Sequence, residues 1–301
     1  MCFDEFQGVV KERVRQHLPE HMRKIPIDIH PFRRIGRSYV GMSLDMRERC
    51  VPIVNLDAYY AMYCRDHHLL GELIAEMAKI MQNIGPGFDT TQLTDYSKVR
   101  DSLFIRVCNA EWNEVYLLKV PHLRYEDLAV TAHVVIHNEG SNLVSAVVRQ
   151  NMLERYGITK EQLFNDAIRN AEILFPPVIH DFNEFNSLFG EDVTEAEHPD
   201  SRILSNSAEL NGAAALFYEG MMEKIAAQFH SSYYIVPTSI HEMILVKDQD
   251  DLNLEDMRNS LIYVNQNASE KEAWLSEYLY YWDNEGKQFR RVLTYSRKAM
   301  S

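Results

Sequence analysis

The sequence predicts an α+β fold with mostly antiparallel sheets and flanking helices, a small N-terminal lobe being packed on a larger α+β body. Three observations carry this. Short runs of alternating apolar and polar residues come in pairs separated by turn residues, which is the pattern of hairpins. Helical stripes stand between these pairs rather than after each single strand, so a doubly wound parallel sheet is disfavoured. The 301-residue length, with 46% hydrophobic and 25% charged residues, allows a sizeable core.

The first lobe begins with Phe3, Phe6, Val10, Val14 and Leu18 at helical spacing, and Pro19 ends that run. The period then changes to two. Ile25, Ile27 and Ile29 alternate with Pro26, Asp28 and His30, and Val40, Met42, Leu44 and Met46 alternate with Gly41, Ser43 and Asp45. Two half-buried strands joined through Gly36 make a hairpin. A long helix follows, with Tyr63, Leu70, Leu73, Ile74, Met77, Met81 and Ile84 on one stripe, and Gly85-Pro86-Gly87 stops it. That stop divides the chain into lobes 1–87 and 88–301.

In the body, residues 103–108 predict a strand and residues 109–119 a helix. Residues 128–136 alternate cleanly, and residues 143–148 form their antiparallel neighbour across Glu139-Gly140. Thr159-Lys160-Glu161-Gln162 is a capping box for a helix that buries Leu163, Phe164, Ala167, Ile168 and Ala171 and ends at Pro176-Pro177. Residues 182–189 predict a short helix and residues 191–200 an acidic loop. An apolar run at 213–218 precedes a helical stripe of Met221, Ile225 and Phe229. Residues 233–236 and 243–246 are strands around the turn Pro237-Thr238-Ser239. Asn253 caps a helix bearing Leu254, Met257, Leu261 and Val264. A last hairpin pairs residues 278–282 with 288–293 around Asn284-Glu285-Gly286.

Composition narrows the function. The net charge of −13 disfavours nucleic acid and anionic lipid, which need a positive field. Two basic clusters, Arg33, Arg34 and Arg37 and then Arg290, Arg291, Arg297 and Lys298, read as solvated turn and tail charges. Cys2, Cys50, Cys64 and Cys108 are widely spaced and form no CxxC, the pattern of reduced thiols in a cytoplasmic protein. The acidic start and the lack of an apolar run of about 20 residues predict no signal peptide and no membrane span.

Candidate chemistry is sparse. His133 and His137 would lie about 6 Å apart on a helix, close enough to share an ion. The β-branched run around them predicts a strand, where that spacing is about 13 Å and too long for one metal. His67 and His68 are adjacent on a helix and diverge. His241-Glu242 resembles the start of the zinc-protease motif HExxH, but Leu245 stands where the second histidine belongs. Ser239, His241 and Glu242 remain as weak catalytic candidates, on a turn that enters a buried strand. Asp248-Gln249-Asp250 begins like a calcium loop and then departs from it at Leu252 and Asn253. Tyr278, Tyr280, Tyr281 and Trp282 read as buried strand residues. No metal and no cofactor is predicted. The leading expectation is a non-enzymatic binding or interaction protein, with a protein or a small molecule as partner. The alternative is a hydrolase using Ser239, His241 and Glu242 with His122 or Asp127.

Several phrases carry a resemblance. They are Val120-Pro121-His122 before Tyr125-Glu126-Asp127-Leu128-Ala129-Val130, and Leu153-Glu154-Arg155-Tyr156-Gly157-Ile158 before Leu174-Phe175-Pro176-Pro177. Gly212-Ala213-Ala214-Ala215-Leu216-Phe217-Tyr218 and Tyr234-Ile235-Val236-Pro237-Thr238-Ser239-Ile240-His241-Glu242 complete them. Together they resemble a domain-of-unknown-function family of Clostridia and related gut Firmicutes. The resemblance spans nearly the whole chain and implies one family unit over residues 1–301. It brings no activity, cofactor or catalytic residue.

Overall fold

The computed structural model describes residues 1–34, 37–46, 51–82, 90–139, 142–181, 200–267 and 271–295. The turn at Gly36, the stop at residues 85–87, the turn at Gly140, the short helix at 182–189 and the acidic loop up to residue 199 lie outside them. The chain divides into two compact units, Met1–Thr94 and Asp95–Ser301. As the sequence predicts, it is α+β: among the described residues the strands form three antiparallel sheets with helices beside them.

The first unit opens with α1 (Phe3–His17), which buries Phe6, Val10 and Val14. The expected hairpin follows as β1 (Ile27–Arg34) and β2 (Arg37–Leu44), with Ile27 opposite Leu44 and Ile29 opposite Met42. A two-residue β3 (Val54–Asn55) pairs on the far side of β2. The Asn55 side chain then accepts from Ala58 N–H and starts α2 (Leu56–Arg65). The single long helix of the sequence reading is broken at Asp66. Its N–H bonds Met62 C=O and its side chain accepts from His68 N–H, so one residue ends α2 and starts a 3-10 turn at His67–Leu69. After that turn α3 (Leu70–Gln82) buries Leu73, Ile74, Met77, Ala78 and Met81. These residues share a core with Phe6, Val10, Ile27, Met42, Leu56 and Tyr63.

The second unit begins with α4 (Tyr96–Val99) and β4 (Leu103–Asn109), of which only Arg106 is not buried. The expected helix at 109–119 shrinks to α5 (Glu114–Leu117). Asn109 is the cause: its side-chain oxygen accepts from Trp112 N–H, and its carbonyl accepts from the Asn113 amide at 2.8 Å. That side-chain turn competes with the helix. The short β5 (His122–Tyr125) leads into β6 (Leu128–Glu139), a 12-residue strand, and then β7 (Asn142–Val147). Strand β4 takes one edge of β6, and β5 and β7 share the other edge in succession, with a bulge between Val135 and His137.

Helix α6 (Gln150–Tyr156) ends at Gly157 with φ +66°, a left-handed cap that glycine adopts without strain. Thr159 then accepts from Gln162 N–H at 3.1 Å and starts α7 (Lys160–Leu174), which lies along β4. The remaining strands are β8 (Pro177–Asp181), β9 (Ser201–Asn206), β10 (Tyr233–Val236), β11 (Met243–Lys247), β12 (Tyr280–Asp283) and β13 (Gln288–Arg291). They pair in the order β13-β12-β10-β11-β9-β8. A buried 3-10 segment at Gly212–Phe217 and α8 (Met221–Phe229) connect β9 to β10. Helix α9 (Leu254–Asn267) packs on this sheet through Leu254, Met257 and Leu261, against Tyr234, Val236, Ile244 and Val246.

Candidate functional site

The turn from Pro237 to Glu242 joins β10 to β11, and its polar groups close it upon itself. Ser239 Oγ accepts from the N–H groups of His241 at 3.0 Å and Glu242 at 3.2 Å, while the Thr238 hydroxyl donates to Glu242 C=O at 3.0 Å. His241 Nδ1 accepts from Asn211 N–H at 3.3 Å, and the His241 carbonyl accepts from the Ser205 hydroxyl at 2.9 Å. Among the described residues, none of the Ser239, His241 and Glu242 side chains hydrogen-bonds another of the three.

The loop that meets this turn is bent tightly. Glu209 and Asn211 both have left-handed backbone, at φ 54° and 56°. A Cβ on Gly212 would collide with Ser205 Oγ, lie 2.5 Å from His241 C=O and lie 2.7 Å from Asn206 N. Glycine is required there because two backbones touch. His241 is half-buried, and that burial lowers its pKa; the Arg106 charge adds to the effect, and a hydrogen bond to the Glu209 backbone opposes it. Burial raises the Glu242 carboxyl, with Glu209 adding repulsion. The imidazole therefore clasps the 205–212 segment to the turn.

The two distant residues considered with them lie elsewhere. His122 Nδ1 pairs with Val120 C=O at 2.9 Å. Asp127, in the two-residue turn between β5 and β6, is buried at 2% exposure. Its carboxylate accepts from Ser276 Oγ at 2.7 Å, Tyr280 OH at 3.0 Å and Asn109 Nδ2 at 3.2 Å. Arg291 Nη1 stands 4.0 Å away. Asp127 thus ties the four-stranded sheet to β12, and burial leaves no path to it for a reactant.

His133 and His137 lie on β6, on either side of its bulge. His133 is buried, with Nε2 3.1 Å from Thr131 Oγ1, and its Nδ1 has no hydrogen-bond partner among the described residues. Burial, and secondarily Arg106, holds it neutral, well below the ordinary histidine range. His67 and His68 are on the short 3-10 turn of the first unit. Among the described residues, no group of three or more His, Cys, Asp or Glu side chains is placed to hold a metal ion. Cys2, Cys64 and Cys108 are free thiols, and burial pushes the Cys108 thiol up to about 12. In the aromatic group, Tyr280 and Trp282 are buried, and Tyr281 OH donates to Asp248 at 2.8 Å.

A cavity of about 540 Å³ opens between α9 and the face of β10 and β11, with Thr238 of the turn in its lining. Val236, Ile244 and Val246 form its sheet wall, and Met257, Leu261 and Val264 its helix wall. Polar groups in its lining include Asp200, Lys247, Gln249, Asp251, Asn253 and Asp256. Asn253 fixes the helix start, its Oδ1 accepting from Glu255 and Asp256 N–H at 3.2 Å each. The helical stripe and its cap are legible in the sequence, whereas the gap beneath them is set by how far the helix stands from the sheet.

Fold and cleft together define an α+β protein with a ligand-sized apolar cavity on one sheet. The chain belongs to DUF5688, a family of unknown function, whose model matches residues 3–284. No curated protein and no solved structure matches it. Among the described residues, no helix is long and apolar enough to cross a membrane.

Proposed function

We propose that this chain is a cytoplasmic, non-enzymatic binding protein that takes up a small, largely apolar molecule between α9 and the β10–β11 face. The observation that carries this reading is the cavity itself. Its size of about 540 Å³ falls within the range of small-molecule sites, and its lining combines apolar side chains of β10, β11 and α9 with polar and charged ones. The turn at Ser239 and His241 supports a binding rather than a hydrolytic reading. Its hydroxyl and imidazole are engaged with backbone of the turn and of the neighbouring loop instead of forming a nucleophile–base pair.

Nile red, a neutral apolar dye, tests the site. Its fluorescence should rise and shift to the blue with one-to-one saturation on the native protein. Val246→Trp, which fills the sheet wall, should abolish the rise while leaving the far-ultraviolet circular dichroism and the urea midpoint nearly unchanged. Equal dye binding by a folded Val246→Trp protein would remove the cavity from the proposal.

A further inference from the structure

One hydroxyl of the cavity wall is shielded from bulk water and has no partner. Ser201 opens β9 and stands opposite Val246 of β11, as Ile203 stands opposite Ile244. Residues directly opposite in an antiparallel pair point to the same face. Ser201 therefore shares with Val246 and Ile244 the face that looks at α9, and it is part of the cavity lining. It is only 5% exposed. Among the described residues, its hydroxyl neither donates nor accepts a hydrogen bond.

The two other hydroxyls of the lining differ. Thr238 donates to Glu242 C=O, and Ser260 is exposed on α9. A buried O–H without an acceptor is costly, and protein interiors seldom leave one. Sites for small molecules place a few such groups on an apolar wall, where they fix the ligand's orientation. An uncharged oxygen is the acceptor that fits. Lys247 Nζ lies 3.7 Å from Asp200 Oδ2, so a carboxylate ligand finds no free counter-charge among the described lining residues.

We infer that the ligand of this cavity is a neutral carbonyl compound with an apolar body, whose oxygen accepts from the Ser201 hydroxyl while the body lies against Val246, Ile244 and Leu261. The inference rests on the binding reading above and specifies its chemistry.

Three probes of one skeleton test it by displacing Nile red from the full chain. They are 4-phenyl-2-butanone, 3-methylbutylbenzene, which has a methyl-bearing carbon in place of the carbonyl, and 3-phenylpropanoate. The ketone and the hydrocarbon should both displace the dye, and the propanoate should bind at least tenfold more weakly than the ketone. Ser201→Ala should weaken the ketone about fivefold, the worth of one hydrogen bond. The hydrocarbon should bind that variant as it binds the native protein, which also shows that the cavity is intact. The carbonyl stretch of the bound ketone should move to higher frequency in the same variant. If Ser201→Ala leaves the ketone unchanged, or weakens ketone and hydrocarbon alike, or if the propanoate equals the ketone, the carbonyl class is overturned and the cavity reading stands. The same holds if no probe displaces a dye that Val246→Trp excludes. If a folded Val246→Trp protein binds the dye as the native one does, the cavity reading falls and the carbonyl class with it.

Discussion

Tyr280 donates its phenolic hydrogen to the Asp127 carboxylate at 3.0 Å, joining two residues that lie 153 positions apart. Ser276 and Asn109 complete the shell around the same acid. Each of these four residues is less than 3% exposed. Burial, with the Asp127 charge next, holds the Tyr280 phenol well above its ordinary value, so it stays a donor across the whole physiological range.

Removing that acceptor leaves the buried Ser276 and Tyr280 hydroxyls without the carboxylate they donate to, while the Asn109 amide keeps its bond to Leu275 C=O. Asp127→Ala is expected to cost about 3–5 kcal/mol, and Tyr280→Phe about 1.5–3 kcal/mol. In urea unfolding the double variant should lose less than the sum of the two single losses, because the residues share one network. Strict additivity would show that the four groups do not act together.

Buried His133 and half-buried His241 both bear on the acid side of the stability curve. His133 and His241 both have folded pKa values depressed below 6.5 by burial, so the folded state holds fewer protons than the unfolded one. Their contribution is complete above the unfolded value and is lost as the pH falls below it. Glu242 is raised and has the opposite sign: its contribution is complete at low pH and declines as the pH rises through its folded pKa. His133→Phe should make the loss of unfolding free energy between pH 7 and pH 5 smaller than in the native protein. An unchanged slope would place the acid sensitivity elsewhere.

Gly212→Ala sets a methyl group against Ser205 and the His241 carbonyl. A loss of about 1–3 kcal/mol is expected from this overpacking. The turn should loosen with it, which hydrogen exchange at the Asn211 and His241 amides would register as faster exchange. Unchanged stability and protection would mean that the two loops separate without cost.

Asn253→Ala removes the cap of α9 and should cost about 1 kcal/mol. Because that helix walls the cavity, the same variant should also weaken Nile red binding. Weakened stability with unaltered dye affinity would detach the helix start from the site.

The hairpins were legible because a period of two with turn residues between the runs has few other meanings. Ile27 opposite Leu44 and Trp282 opposite Phe289 follow directly from it. The break at Asp66 was not legible: an apolar stripe runs straight through it, and only the backbone at Asp66, φ −146°, reveals two helices. Strands β8 and β9 carry too little alternation to announce themselves; β9 is a strand because β11 offers Met243 to Leu204 and Ile244 to Ile203, and β8 because β9 in turn offers Leu204 to Ile179. The same holds for the site. The Ser239 turn can be read along the chain, but its clasp by Ser205, Glu209 and Asn211 depends on β9 lying beside β11. The cavity depends on how α9 lies against β10 and β11, which no local pattern encodes.

The outermost strand, β13, gives the six-stranded sheet its finished border. Phe289 stacks on Tyr280 with ring centres 4.9 Å apart, and Arg291 covers the Tyr278 ring at 4.4 Å. A polypeptide trimmed just past Asp283, by a protease or by cloning, would strip that border and bare an aromatic ledge with open backbone donors and acceptors. Such ledges recruit one another, so the shortened form should associate with itself more readily than the full chain.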